Sequence, residues 1–238
     1  MLRTILMTSP LLLSLACASS SEAPAAGHHG HGAPHDGPNA HHGHASGMPH
    51  RFEDAAAWSK QFDAPERDAW QKPDEVIAAL ALPKDAVVAD VGAGTGYFAV
   101  RLARAVPQGR VLGVDVEADM VRFIDERAAK EGLTNLKGRL TPFDRAEVDD
   151  GTDLVLVVDT YHHIADRVAY FKALLPKLSA RGRLAIVDFR PSSERGPPKA
   201  MKMAPEFVQQ ELAAAGYLQV ESHDFLPDQY LLVFSPRR

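Results

Sequence analysis

Two spacings of apolar residues alternate along the chain from about residue 87 onward. Short runs rich in β-branched residues, Val87-Val88-Ala89-Asp90-Val91, Arg110-Val111-Leu112-Gly113-Val114-Asp115, Asn135–Leu140, Asp153-Leu154-Val155-Leu156-Val157-Val158 and Gly182-Arg183-Leu184-Ala185-Ile186-Val187-Asp188, have the length and bounding residues of buried strands. Between them the apolar positions return at helical period over Phe98–Ala103, Met120–Glu131, Arg167–Leu178 and Pro205–Ala215, the last stopped by Gly216. Alternating strands and helices predict an α/β fold with a parallel sheet, and the close runs Leu218–His223 and Gln229–Phe234 predict a hairpin-like closing pair.

Upstream, residues 51–82 read as helical, with aromatic anchors at Phe52, Trp58, Phe62 and Trp70 and breaks at Pro65 and Pro73. Pro73-Asp74-Glu75 followed by Val76, Ile77 and Leu80 has the proline and acids of a helix start. Residues 18–50 contain no Lys, Arg, Leu, Ile, Val, Phe, Trp or Tyr, so they offer too little apolar surface to offset the ordering entropy and predict a disordered linker. Eight of the 11 histidines lie there, between His28 and His50. Such a tract is either a plain or pH-dependent spacer or a weak, buffering binder of divalent metal; a defined metal site would need fixed spacing and supporting contacts.

Ile5–Ala16 is apolar or small apart from Thr8, Ser9, Pro10 and Ser14, too short to span a bilayer but suited to the apolar region of a signal peptide. Leu13-Ser14-Leu15-Ala16-Cys17 resembles the lipobox of bacterial lipoproteins, which implies export and a lipid-anchored, periplasmic protein with acylated Cys17; Ser14 stands where that box usually has Leu. A plain exported chain and a cytoplasmic one are the alternatives. With 238 residues, 45% hydrophobic and 24% charged, the whole falls among soluble globular chains, and one cysteine excludes an intrachain disulfide. The expected partition is 1–16 signal peptide, 17–50 linker, 51–82 helical cap and 83–238 the α/β domain. A net charge of −5 gives no basic footprint for nucleic acid.

The chemistry concentrates at Ala89-Asp90-Val91-Gly92-Ala93-Gly94-Thr95-Gly96, where a strand meets a glycine turn and then a helix, so that backbone N–H groups can approach a ligand. The spacing is Gly-x-Gly-x-Gly, unlike the dinucleotide fingerprint. The next strand ends at Asp115, 19 residues after Gly96, and a carboxylate there can accept from both hydroxyls of a ribose.

These residues, with Gly113-Val114-Asp115, resemble the first two motifs of class I S-adenosylmethionine-dependent methyltransferases, and the likeness runs from about Phe52 to the C-terminus. It implies a Rossmann-like, seven-stranded, mostly parallel sheet with an antiparallel last strand, helices on both faces and an N-terminal helical cap. It implies S-adenosylmethionine as cofactor, with Asp90 toward the methionine amino group, the backbone of Gly92, Ala93, Gly94 and Gly96 along the methionine moiety, Asp115 on the ribose, and Val116 and Met120 flanking the adenine. Thr141 and Pro142, with Phe143 and Asp144 just beyond, stand at the adenine-edge position, without the usual acid at that step.

The acceptor end implied by the resemblance is Asp159-Thr160-Tyr161-His162-His163. Asp159 would contact the ligand. His162 or His163 would act as base, position a ligand or serve structure, a base being needed only where the acceptor loses a proton. Arg67, Trp70 and Gln71 of the cap could contact the cofactor or line the entrance, the alternative being that Trp70 and Phe62 simply pack the cap onto the sheet; His223 and Tyr230 either form a lid or belong to ordinary strands. The acceptor is expected to be a small molecule with carbon, oxygen, sulfur or metalloid as the receiving atom, the lone Cys17 arguing against the arsenic type. A second reading keeps the fold without catalysis, as a ligand-binding lipoprotein with a metal-buffering His-rich arm.

Overall fold

The computed structural model describes residue 52 and residues 54–237. The expected signal segment, Cys17 and the His-rich stretch lie outside the described residues.

Strands β1 (Val87–Val91), β2 (Arg110–Asp115), β3 (Leu136–Leu140), β4 (Thr152–Val158), β5 (Leu178–Phe189), β6 (Tyr217–His223) and β7 (Gln229–Pro236) form one sheet in the order β3-β2-β1-β4-β5-β7-β6. The first five pair in parallel, and β7 lies antiparallel between β5 and β6, as the sequence led one to expect. Parallel pairs need crossovers, and these are supplied by α4 (Tyr97–Ala105), α5 (Ala118–Glu131) and α6 (Arg167–Leu174), while α7 (Pro205–Ala214) leads into β6. Ahead of β1 stand three short helices, α1 (Ala55–Phe62), α2 (Arg67–Gln71) and α3 (Pro73–Ala79), at the place expected for the cap.

Two apolar clusters lie on opposite faces of the sheet. One gathers Val76, Phe98, Leu102 and Ile124 from α3, α4 and α5 against Val88, Val111, Leu154 and Leu156. The other gathers Phe171, Val208 and Leu212 from α6 and α7 against Ala89, Val114, Val155 and Ile186. Because successive strand residues face opposite sides, Asp90 and Asp115, each next to a residue of the second cluster, face the side of α4 and the cap.

One expected boundary moves. The helix read as Arg167–Leu178 ends at Leu174 and closes with a 3-10 turn over Leu175–Lys177, because Pro176 lacks an N–H for the helical ladder. β5 then starts at Leu178, four residues before the apolar run that announced it, with a register shift against β4 between Thr152 and Leu154. Among the described residues no helix is long and apolar enough to cross a membrane.

Candidate functional site

The site begins where β1 and β2 end. Gly92, Gly94 and Gly96 all take positive φ, 75°, 54° and 82°, a left-handed backbone that side chains strain. At Gly92 a Cβ would also fall 2.2 Å from the Thr160 Oγ1, so that position must stay bare. The turn is pinned to β2 by Gly92 N–H and Ala93 N–H, both donating to the Val114 carbonyl at 2.8 and 3.1 Å. Asp115 then holds the loop: its Oδ2 accepts from Gly94 N–H at 2.8 Å and its Oδ1 from Glu117 N–H at 2.9 Å. Burial raises the pKa of Asp115 above the usual carboxylate range, and those N–H donors oppose the rise.

Asp90 is 2% exposed, and its Oδ2 finds no hydrogen-bond partner among the described residues. Burial pushes its pKa up to about 7, the Arg67 charge opposing and the Asp115 charge adding. The Thr95 hydroxyl in the same loop is likewise buried and unpartnered. A buried carboxylate oxygen and a hydroxyl left unsatisfied are costly in a closed core, and at the mouth of a glycine turn they are what an incoming cationic, hydrogen-bonding ligand would satisfy. S-adenosylmethionine, with an ammonium group and a ribose, fits that donor and acceptor set.

Farther along β2 and β3 the expected adenine end is divided. Val116 is half-buried, but Met120 is almost fully buried at 1% exposure. Thr141 closes its own loop: its N–H donates to the Asp115 carbonyl, and its hydroxyl donates to the Arg145 carbonyl and accepts from Glu147 N–H. The hydroxyl is therefore committed to local structure, whereas Pro142 and Phe143 are exposed beside it.

At the end of β4, Asp159 leaves the strand with φ 53°, a left-handed conformation rare outside glycine, and its N–H still donates to the Val187 carbonyl at 2.9 Å. Its carboxylate accepts from Gln71 Nε2 of α2 at 2.8 Å and from Gln229 Nε2 of β7, with Arg67 3.6 Å away. Gln71 also donates to Gln229 Oε1 at 2.9 Å, and Arg67 Nε donates to Gln71 Oε1. Burial pushes Asp159 up to about 6, with Arg67, the Gln71 hydrogen bond and His162 opposing and Asp188 adding.

His162 lies beside this network, its Nδ1 at 3.0 Å from both oxygens of Asp188, whose side chain is 0% exposed. A carboxylate on Nδ1 favours the tautomer with the proton there and leaves Nε2 as the acceptor. His163 is exposed, its ring centroid 4.2 Å from that of His162 and 5.9 Å from that of Phe52.

The cap closes over the glycine turn. Phe52, Trp58 and Phe62 form one aromatic group, and the Phe62 ring lies 3.4 Å from where a Gly94 Cβ would stand. Arg127 of α5 donates both to Asp63 at 2.8 Å and to the Thr95 carbonyl at 3.2 Å, and Ala55 N–H donates to Asp119 at 2.6 Å. The Tyr97 ring is held between two guanidiniums, Arg67 at 4.0 Å and Arg101 at 4.1 Å, while its hydroxyl donates to Asp68.

Of the residues singled out in the sequence, the fold brings Asp90, the three glycines and Asp115 together, and separately Arg67, Gln71, Asp159 and His162. Trp70 packs on Phe189 of β5, ring centroids 5.7 Å apart, the alternative in which it fastens the cap to the sheet. Tyr230 is a buried strand residue and His223 pairs with Glu221 at 3.1 Å, so both belong to ordinary strands. Asp188, Gln229 and Thr95 were not anticipated; for Gln229 the available signal was a polar residue opening an otherwise apolar strand. Among the described residues no group of three His, Cys, Asp or Glu is placed to hold a metal ion.

Residues 82–229 match the model of a family described as a methyltransferase domain. A trans-aconitate 2-methyltransferase of Afipia carboxidovorans is 28% identical over 134 residues, 55% of this chain and 50% of the relative. An uncharacterized methyltransferase of Mycobacterium tuberculosis is 32% identical over 125 residues, 52% of this chain and 61% of the relative. The chain thus spans about half the length of the curated relatives it matches. A SAM dependent methyltransferase from Aquifex aeolicus, 24% identical, shares the fold with a TM-score of 0.71 over 77% of this chain and 98% of that one.

Proposed function

The chain belongs to the methyltransferase-domain family, and we propose that it transfers the methyl group of S-adenosylmethionine to a small-molecule acceptor. The observation that carries this reading is the buried, unpartnered Asp90 oxygen beside a turn of three left-handed glycines closed by Asp115. Asp90 would hold the ammonium group, Asp115 the ribose hydroxyls with the lone pairs its two backbone bonds leave free, and Thr95 would find a partner for its hydroxyl. When bound, the cofactor supplies an electrophilic methyl on a sulfonium.

What remains for this chain is alignment and exclusion of water. Phe52, Trp58 and Phe62 would cover the reacting end, and Arg67 and Gln71 would tie cap closure to Asp159 at the acceptor side. His162, oriented by Asp188, would take a proton at Nε2 from an acceptor that must lose one. We further propose an exported chain anchored through Cys17, supported by the apolar Ile5–Ala16 run ending in Ala16-Cys17; mass spectrometry of the mature N-terminus tests it, an acylated Cys17 being the expected result and a retained Met1 the contrary one.

The test of the activity is transfer of label from methyl-tritiated S-adenosylmethionine to a panel of small acids, alcohols and thiols. Labelled product together with S-adenosylhomocysteine is expected. Failure of the full chain to bind either cofactor form by calorimetry would overturn the reading.

A further inference from the structure

We propose that the cleft built by residues 190–202, after β5, binds a small oxyanion, the carboxylate or phosphate group of the acceptor. Its identification with the acceptor rests on the methyltransferase reading above. The cleft has a volume of about 420 Å³ and is lined by Ser192, Ser193, Glu194, Gly196, Lys199 and Lys202, with prolines between them. That volume falls in the range of small-molecule sites, and the place, beyond the carboxyl end of a parallel strand, is where open α/β sheets hold ligands.

Charge selects the ligand. In a chain of net charge −5, the run Arg190-Pro191-Ser192-Ser193-Glu194-Arg195-Gly196-Pro197-Pro198-Lys199-Ala200-Met201-Lys202 carries four cations against one carboxylate. Arg195 is already engaged: its Nε is 3.2 Å from Asp228 and its guanidinium lies 5.0 Å over the Trp70 ring. Lys202 donates to the Ser193 carbonyl at 2.5 Å, across the cleft lining. Among the described residues neither Lys199 nor Lys202 is within ion-pair distance of a carboxylate, so the lining sets two unpaired ammonium groups against the single carboxylate of Glu194. A neutral ligand would leave them as they are; an oxyanion would pair with both.

The cleft is also held in shape. Pro191, Pro197 and Pro198 fix φ at three points. Asp228 fastens the base by accepting from Arg190 N–H at its carbonyl, 3.0 Å, and from the Ser193 hydroxyl at its carboxylate, 2.9 Å. Gly196, at φ 88°, lies so close to Phe189 that a Cβ would come within 2.6 Å of the ring. Phe189 in turn packs on Trp70, and the next residue of the cap, Gln71, donates to Asp159. Two packed rings therefore connect the cleft to the cap segment that reaches Asp159, the side on which the rest of an acceptor held at Lys199 and Lys202 would lie.

The test is calorimetry on the full chain at about pH 8, where unperturbed histidines of the N-terminal tract are neutral, and about 0.15 M salt, where the screening length is about 8 Å. The probes are citrate, pyrophosphate and the uncharged trimethyl citrate. Saturable binding of citrate or pyrophosphate, with none of the ester, is expected; tighter citrate assigns a carboxylate and tighter pyrophosphate a phosphate. Lys199→Gln/Lys202→Gln should weaken that binding at least about tenfold with an unchanged thermal melt, while Lys199→Arg/Lys202→Arg keeps it. No saturable binding of either anion, equal binding of the ester, or undiminished binding by the glutamine variant would overturn the proposal. S-adenosylhomocysteine titrated into the same sample reports on the cofactor site separately.

Discussion

Replacing Asp90 by Asn should stabilise the ligand-free protein and disable its cofactor site. The carboxyl is buried, with its pKa pushed from an ordinary 3.8 up to about 7. Below pH 3.8 both folded and unfolded chains hold the proton, and the group contributes nothing to the pH dependence. Between 3.8 and about 7 the unfolded chain ionises while the folded one does not, so stability falls as pH rises; above 7 the loss levels off. At 1.4 kcal/mol per pH unit the full cost of ionised Asp90 is roughly 4 kcal/mol, of which roughly 2–3 kcal/mol develops between pH 5 and 8. Asn has nearly the same shape and no charge to desolvate.

Urea denaturation of wild type and Asp90→Asn without cofactor, at pH 5 and pH 8, isolates this group, since other titrations cancel in the difference. The variant should gain on wild type by about 2 kcal/mol between those pH values. Calorimetry with S-adenosylhomocysteine should move the other way, the variant losing at least about tenfold in affinity as the ammonium group loses its counter-charge. A variant less stable than wild type at pH 8, or one that binds the ligand as wild type does, would contradict the environment described for Asp90.

Other outcomes follow from the same contacts. Because an ammonium group selects ionised Asp90, wild-type affinity for S-adenosylhomocysteine should fall about tenfold per pH unit below 7, and Arg67→Ala, which removes a charge that lowers the pKa of both Asp90 and Asp159, should shift that fall to higher pH; an unshifted profile by calorimetry would contradict it. Gly92→Ala adds left-handed strain to a clash with Thr160 and should cost about 3 kcal/mol, read as a lowered thermal midpoint, with a shift of under about 1 °C as the contrary result. Asp188→Asn should move the His162 proton from Nδ1 toward Nε2, visible in nitrogen-15 spectra of the imidazole, whereas an unchanged spectrum would mean that Asp188 does not set the tautomer.

What was legible in the sequence is what sits close in the chain. Asp90, the glycines and Asp115 are read from one strand, one turn and the next strand, and the buried register of β1 against β2 then brings both acids to one face. The acceptor side is different in kind. Gln71 and Gln229 meet across 158 positions, and nothing in the local pattern of α2 or β7 indicates that their amides share a carboxylate. Asp188 looked like the polar end of a buried strand, and only the return of the chain after β4 places His162 against it. The position of Thr141 after β3 makes it an expected adenine neighbour, but the tight loop to Glu147 uses its hydroxyl, a turn that spacing alone does not reveal. The start of β5 has no local signal, because Leu178-Ser179-Ala180-Arg181 lacks the β-branched residues that mark the other strands.

The most direct measurement is a crystal structure of the full chain with S-adenosylhomocysteine. It should place the ligand along residues 92–96, the ammonium group at hydrogen-bond distance from Asp90, the ribose hydroxyls on Asp115 and the sulfur facing Asp159. A ligand that binds elsewhere, or that lies in this groove with Asp90 and Asp115 both out of reach, would contradict the cofactor site described here.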